Sequence, residues 1–333
     1  MSETFVESSF NQLDPSFEVP LRPQTLQEFR GQAGVCERLD VMIRAAKERG
    51  EAVGHCLFSG PPGLGKTTLA NIVANTMGTE LTVTSGPVLG KPGDLAGVLT
   101  NLKKGDVLFI DEIHRMPRAV EEYLYTAMED WQLDLVIDSG PNARTVQVKL
   151  NTFTLVGATT RVGLLSAPLR TRFGNVLRLD FYDLGTLVTI LQRTGRLLNL
   201  ELPKESAEEI ARRARGTPRI ANHLLRWVRD FAQIHAGNRV ELTVVRRALA
   251  LLNIDSRGLD EVDQKILSII IDYYGGGPVG LQTLAAAIGE ESDTIEDVHE
   301  PYLIQEGLLT RGPRGREVTP LAYEHLKEIN HVE

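Results

Sequence analysis

The sequence predicts an α/β domain built on a mainly parallel sheet, then a small all-helical domain, then a helix-turn-helix closed by a two-stranded ribbon. Three observations predict it: short apolar runs alternate with helical stretches up to about residue 182, strand signals stop there, and the chain from about 255 ends in two strand-like runs around a Gly/Pro/Arg turn.

Residues 1–20 are polar without a sustained period and read as a flexible arm, so the folded part is expected to begin near Leu21. A helical pattern covers Val35 to Arg49. The apolar run His55-Cys-Leu-Phe-Ser59 follows, then a glycine-rich loop and a helix from Lys66 to about Met77. Further strand signals fall at Leu81–Thr84, Val107–Ile110 and Phe153–Val156. Between Leu133 and Leu150 two alternating runs flank Ser139-Gly-Pro-Asn-Ala-Arg144, the pattern of an antiparallel hairpin inserted into the α/β order. Helical patterns then run through Thr186–Leu198, Ser206–Arg215, Arg219–Ala236 and Thr243–Leu252, and Asn253–Gly258 reads as a linker. The last segment gives a helix at Asp260–Tyr274, a break at Gly275-Gly-Gly-Pro278, a short helix at Leu281–Ile288 and a further helix at about Asp293–Gln305. Two short strands around Arg311–Arg316 complete the outline of a winged helix.

Composition excludes several classes. With 333 residues, 42% hydrophobic and 24% charged, the chain is neither disordered nor fibrous. No apolar run is long enough to cross a bilayer and the N-terminus lacks a basic, then apolar, leader, so a cytoplasmic protein without a membrane association is expected. Cys36 and Cys56 have no C-x-x-C spacing and no histidines around them, which supports neither disulfides nor zinc. A net charge of −8 requires any nucleic-acid contact to come from local basic patches.

The sharpest chemical signal is Gly60-Pro-Pro-Gly63-Leu-Gly65-Lys66-Thr67-Thr68, which fits G-x-x-x-x-G-K-[ST] after an apolar strand and at the start of a helix. Glycines let backbone N–H groups curl around a polyphosphate, Lys66 can reach the β- and γ-phosphates, and Thr67 can ligate Mg²⁺. ATP and Mg²⁺ are therefore the expected cofactors. The run Asp106-Val-Leu-Phe-Ile-Asp111-Glu112 supplies the partner motif: a strand that delivers Asp111 to the Mg²⁺ side of the nucleotide and places Glu112 to polarise the attacking water. His114 completes a D-E-x-H string, but a lone histidine there reads more simply as structural and receives no catalytic role.

Together with Gly157-Ala-Thr-Thr160-Arg, Pro168-Leu-Arg170-Thr-Arg172-Phe173 and Gly216-Thr-Pro-Arg219, these motifs resemble the AAA+ ATPases, and within that class the RuvB family of Holliday-junction branch-migration motors. The resemblance covers nearly everything from Leu21 onward, including Thr84-Ser-Gly-Pro87 and Pro313-Arg-Gly-Arg316; it departs at Gly90, where an acidic residue is usual. It implies three domains: an ATPase domain with arm and hairpin over 1–182, a helical lid over 183–254 and a winged-helix head over 255–333. It further implies that Thr160 is sensor 1, with Thr159 as the alternative, and that Arg219 is sensor 2. Arg170 and Arg172 fall in the arginine-finger segment, Arg172 being favoured because it directly precedes Phe173-Gly174, and a finger acting in trans makes a homo-oligomeric ring, a hexamer, part of the active site. Leu21, Arg22 and Tyr182 match the adenine-side contacts. The family's hairpin docks a RuvA-like junction-binding protein, and the implied activity is ATP hydrolysis coupled to movement of four-way junctions in recombination and repair.

Two features were weighed on their own residues. Leu133, Leu135 and Ile137 share one face of the hairpin and Val146, Val148 and Leu150 the opposing one, an apolar surface that something must cover. Residues 255–333 carry 6 basic and 16 acidic side chains, with three of the basic ones, Arg311, Arg314 and Arg316, in one loop. Glu296, Asp297 and Glu300 on the would-be recognition helix are costly in a major groove, so the wing is expected to grip duplex or junction DNA without reading sequence. Two rival readings are an ATP-switched loader or initiator, and a protein unfoldase; the second is disfavoured because Ser85–Leu102 has no aromatic for a pore loop.

Overall fold

Residues 19–137 and 144–330 are described by the structure, a computed structural model, with backbone only at 135–137, 144–145 and 328–330. Most of the expected N-terminal arm and of the hairpin turn lie outside the described residues. The chain forms two compact units. One consists of Arg22–Gly60 and Leu64–Asp180; the other gathers Leu21, Pro61–Gly63 and everything from Phe181 on.

The first unit is a five-stranded parallel sheet in the order β2-β3-β6-β1-β7, with β1 at Cys56–Ser59, β2 at Leu81–Ser85, β3 at Val107–Asp111, β6 at Thr154–Thr159 and β7 at Asn175–Arg178. Its central strands are buried along nearly their whole length, which is why β1, β3 and β6 read as continuous apolar runs rather than alternating ones. Helices α1 (Ala33–Arg49), α2 (Lys66–Met77), α3 (Pro92–Thr100), α4 (Arg118–Glu129) and α5 (Ala167–Arg172) connect and flank these strands. Phe58, Phe109 and Phe153 are fully buried, and each such side chain contributes about 1.5–3 kcal/mol through apolar area removed from water. Cys36 and Cys56 are free thiols, and burial pushes Cys56 up to about 12, well outside the reactive range.

The hairpin is antiparallel, with β4 at Gln132–Ile137 and β5 at Arg144–Lys149 in the register Leu133 to Val148 and Leu135 to Val146. Its base is not a waiting surface. Leu133 is fully buried in the core, Val148 and Leu150 pack against that core, and Trp131 meets Phe153 edge-on at 5.4 Å. Leu150 N–H donates to the Trp131 carbonyl at 2.8 Å, closing the ribbon where it leaves the domain. Only further out does an apolar side chain of the described residues face solvent: Val146 is 42% exposed. Part of the apolar face that had to be covered, at Leu133, Val148 and Leu150, is thus covered by the domain itself, while the side chains of Leu135 and Ile137 lie outside the described residues.

In the second unit, α6 (Leu184–Leu197), α7 (Lys204–Arg212), α8 (Pro218–His235) and α9 (Leu242–Ala250) pack through one apolar face each. The head follows as α10 (Glu261–Tyr274), α11 (Leu281–Ile288), α12 (Glu300–Gln305), the ribbon β8 (Leu309–Gly312) and β9 (Gly315–Val318), and α13 (Pro320–Asn330). Asp260 caps α10 in a reciprocal box with Asp263. The helix expected over about 293–305 is present from Ser292 to Gln305, continuous in backbone conformation, but it widens into a π-turn at Ile295–His299 before α12. Pro301 explains the widening, since it has no N–H for an α bond to the preceding turn.

Lid and head are joined by a buried ionic network. Arg215, at φ 53°, sets Nη1 3.2 Å from Asp260 and 3.0 Å from Asp263, and its guanidinium lies 4.8 Å from the Tyr302 ring centroid. His299 Nδ1 is 2.7 Å from the other Asp263 oxygen. Asp260, Asp263 and His299 are close enough together to suggest a metal, yet the Arg215 guanidinium sits among them and supplies the positive charge. Burial by itself pushes the Asp263 carboxyl up, but the Arg215 charge and then the His299 hydrogen bond and charge outweigh it and hold the group below its ordinary value.

Candidate functional site

The site grows from strand order. Because β6 lies between β1 and β3, all parallel, the C-terminal ends of three strands open at one sheet edge: Ser59 pairs with Thr159, Ile110 with Gly157, and the Gly60 N–H donates to the Thr159 carbonyl at 3.2 Å. The phosphate-loop glycines take backbone conformations that other residues rarely adopt, with φ of 136°, 77° and 104° at Gly60, Gly63 and Gly65. A Cβ on Gly60 would overlap the Leu179 carbonyl; one on Gly63 would lie 2.7 Å from Thr217 Cγ2 and 3.1 Å from Arg219 Cβ. Bare α-carbons are therefore required on both sides of the loop. Gly65 offers no side-chain cap to α2, which leaves the first N–H groups of that helix for an anion. Lys66, 7% exposed, points back along the loop and donates from Nζ to the Gly60 carbonyl at 2.7 Å, while Thr67 and Thr68 form the first turn beside it.

Asp111 ends β3, and its Oδ1 accepts from the Glu112 N–H at 3.0 Å. Glu112 itself sits at φ 46°, a sparsely populated conformation that turns the chain sharply at the strand tip. At the tip of β6 the two adjacent threonines separate cleanly. The Thr159 hydroxyl is committed, accepting from the Arg161 N–H at 3.0 Å and lying 2.9 Å from His114 Nδ1, whereas the buried Thr160 hydroxyl has no hydrogen-bond partner. A triphosphate fits this edge: a collar of N–H groups, a lysine, an orphaned buried hydroxyl, and a hydroxyl and carboxylate in Thr67 and Asp111 of the kind that hold Mg²⁺.

The finger segment is braced within its own unit. Ser166 caps α5 and donates to Glu121, whose Oε2 also accepts from the Tyr125 hydroxyl at 2.9 Å. Arg172 lies over the Tyr125 ring at 4.4 Å and donates to the Pro168 carbonyl and to Glu129 Oε2, each at 3.0 Å, so its side chain is only 23% exposed; Arg170 beside it is exposed. Glu121, Tyr125 and Glu129 recur every four residues on α4. That spacing was visible in the sequence but went unread, since nothing marked its face as supporting α5.

In the second unit Thr217 and Pro218 start α8 and place Arg219 in its first turn. Leu21 is buried and its carbonyl accepts from Arg193 Nη1 at 2.7 Å; Tyr182, also buried, donates its N–H to the Gly216 carbonyl at 2.8 Å. Arg22 is half-buried, its carbonyl accepting from the Gln24 side chain. The wing requires a correction. Arg316 is 7% exposed and its fork is spent on Glu300, Nη2 to Oε2 at 3.1 Å, so it cannot reach a phosphate. Arg311 is half-exposed with Nη1 2.7 Å from Glu296, and Arg314 stands out in solvent at 82%. Two of the three acids expected to be costly on the recognition helix, Glu296 and Glu300, are counterions of the wing.

A parallel sheet carrying a phosphate loop on one strand, Asp-Glu on the next but one and a polar tip between them, followed by a helical lid, defines a P-loop ATPase of the AAA+ class. The chain belongs to the RuvB family. Residues 21–179 match the Holliday junction DNA helicase RuvB P-loop domain, 182–255 the RuvB AAA lid domain and 256–327 the RuvB C-terminal winged helix domain. It is 64% identical to the Holliday junction branch migration complex subunit RuvB of Protochlamydia amoebophila, over 98% of each chain, and 59% identical to that of Flavobacterium johnsoniae, over 96% of this chain and 94% of that one. A solved structure described as the Thermotoga maritima RuvB Holliday junction branch migration motor superposes with a TM-score of 0.86 at 52% identity, covering 92% of this chain and 98% of that one. Among the described residues no helix is long and apolar enough to cross a membrane.

Proposed function

We propose that this chain is the ATP-driven motor subunit of a branch-migration machine: a homo-oligomeric ring, a hexamer, that hydrolyses ATP and draws duplex arms of a four-way junction, working with a RuvA-like junction-binding protein in the cytoplasm. The observation that carries the reading is the convergence at one sheet edge of the phosphate loop, the Asp111–Glu112 tip and the orphaned Thr160 hydroxyl, on a chain that ends in a winged helix. In it residues 1–182 are the ATPase domain, 183–254 the lid and 255–333 the DNA head.

The proposed division of labour follows from chemistry. Gly60 turns the chain into the loop, N–H groups of Gly63, Leu64, Gly65 and the first turn of α2 cradle the phosphates, Lys66 neutralises the β- and γ-oxygens, and Thr68 closes the loop. Thr67 and Asp111 hold Mg²⁺, which supplies charge neutralisation along the phosphate chain. Glu112 takes the proton side of the attacking water, and Thr160 bonds a γ-oxygen as charge shifts toward the leaving β-phosphate. Leu21, Arg22 and Tyr182 flank the adenine; Arg219 reaches the phosphates from the lid. Arg172, or Arg170 in its place, completes the neighbouring subunit's site, where a finger in trans is worth roughly 10³- to 10⁵-fold in rate. Arg311 and Arg314 grip the backbone, and the hairpin, through the exposed Val146, meets the RuvA-like partner.

The test is ATP-dependent dissociation of a synthetic four-way junction, with and without that partner, using Lys66→Ala as the blank. Dissociation that needs ATP, Mg²⁺ and Lys66 supports the motor. Hydrolysis and DNA binding without junction movement would favour an ATP-switched loader instead.

A further inference from the structure

His114 stands outside the proposed roles, yet its Nδ1 lies between side chains at the two strand tips of the site. It lies 2.9 Å from Thr159 Oγ1 at the end of β6 and 3.4 Å from Glu112 Oε2 after β3, with the imidazole side chain 6% exposed. Glu112 is held in its left-handed backbone conformation from the other side by Gly86, where any Cβ would overlap the Glu112 carbonyl. Glu112 is thus closely packed against Gly86 at its backbone and adjoined by His114 at its carboxylate. Thr159 is in turn pinned by the Arg161 N–H, directly beside Thr160.

We propose that His114 is a positioning residue that ties the Glu112 carboxylate to the tip of β6, so that the water-polarising group follows the strand that carries Thr160. One nitrogen serves two oxygens. With its proton on Nδ1 the ring donates toward both Glu112 and Thr159; with the proton on Nε2, the Nδ1 lone pair accepts from the Thr159 hydroxyl and the ring offers the carboxylate no donor. What Thr159 donates to therefore sets whether Glu112 is offered a donor, and a small movement at the sensor strand becomes a change in where the water is held. A misplacement of the order of 1 Å in such a group costs about 100-fold in rate without affecting substrate affinity.

This rests on the ATPase reading above, and the experiment keeps the two apart. Steady-state ATP hydrolysis and binding of a fluorescent ATP analogue are measured on full-length wild type, His114→Ala, His114→Asn, Thr159→Val and the His114→Ala/Thr159→Val double variant, with thermal melting of each. The expected result is a kcat lowered by about 10- to 100-fold in His114→Ala and Thr159→Val with KM and analogue affinity within about 2-fold of wild type. The double variant should be no slower than the slower single one, and His114→Asn, whose amide can stand where Nδ1 stands, should recover most of the rate. Wild-type kcat in His114→Ala, a loss confined to KM, or losses that multiply in the double variant would each overturn the assignment. If His114→Ala melts early, His114→Asn and Thr159→Val decide the matter. A wild type inert toward ATP would instead remove the ATPase reading, and this one with it.

Discussion

Arg316 on the wing forks onto the Glu300 carboxylate of α12, Nη2 to Oε2 at 3.1 Å, and the two side chains are 9% and 2% exposed. A loop that looks like three equivalent basic residues in sequence is therefore divided in structure: one arginine builds the head and two face outward. Replacing Arg316 by Ala strands a buried carboxylate and should destabilise the head by about 3–5 kcal/mol, read as an early melting transition. Arg314→Ala should leave melting unchanged, weaken duplex binding, and lower the slope of log affinity against log salt by about one. Salt dependence identical to wild type would place the DNA contact elsewhere.

Substituting Glu112→Gln removes the carboxylate proposed to accept the water's proton and keeps the side chain's shape. ATP binding should persist while turnover falls by about 10²- to 10⁴-fold, measured as phosphate release against equilibrium binding of a fluorescent analogue. Ordinary turnover would refute the base assignment.

Arg172→Ala should be inactive alone, yet mixing it with a Glu112→Gln subunit should restore phosphate release, because each variant supplies the half-site the other lacks. Failure of every mixing ratio would argue against action in trans. Glu129→Gln, which keeps the Tyr125 stack but weakens the hold on Nη2, should fall between wild type and Arg172→Ala.

Asp263 gives the head an acid sensitivity whose sign is fixed by its environment. Its folded-state value lies below the ordinary 3.8, so the stabilisation is complete above that value and is lost as pH falls through it toward the folded value. Melting temperature should accordingly drop below about pH 4, and Arg215→Ala should lower it at neutral pH as well, by an amount corresponding to about 3–5 kcal/mol. A melting profile of Arg215→Ala that matches wild type at neutral pH would show that the network carries no stability.

The α/β core and the phosphate loop were legible because their signals are local. A buried strand is a continuous apolar run, and G-x-x-x-x-G-K-T needs only its own strand and helix around it; α2 begins and ends where the pattern put it, at Lys66 and Met77. What escaped was long-range. Which of the Thr159 and Thr160 hydroxyls is hydrogen-bonded depends on His114, 45 positions from Thr159. Burial of Arg316 depends on Glu300 from another element, and the covered base of the hairpin on Phe153, which lies beyond both of its strands. Charge counts and turn chemistry register none of these pairings. The π-turn before Pro301 was foreseeable from the proline, whereas the rest of that helix gave no hint of it.

The ionic joint around Arg215 has a consequence for how this protein can be taken apart. Family boundaries suggest that the winged helix is a cartridge, separable after residue 255 and exchangeable for another DNA reader. But its acids Asp260 and Asp263 answer a cation that belongs to the lid, and Gly258 lies so close to the Arg213 backbone that no side chain fits there. Cutting the chain at the linker would part the Arg215 guanidinium from the Asp260 and Asp263 carboxylates and leave Asp263 with His299 as its cationic neighbour. A grafted head would have to bring its own Asp260, Asp263 and His299, so what is inherited as a module is the lid and head together.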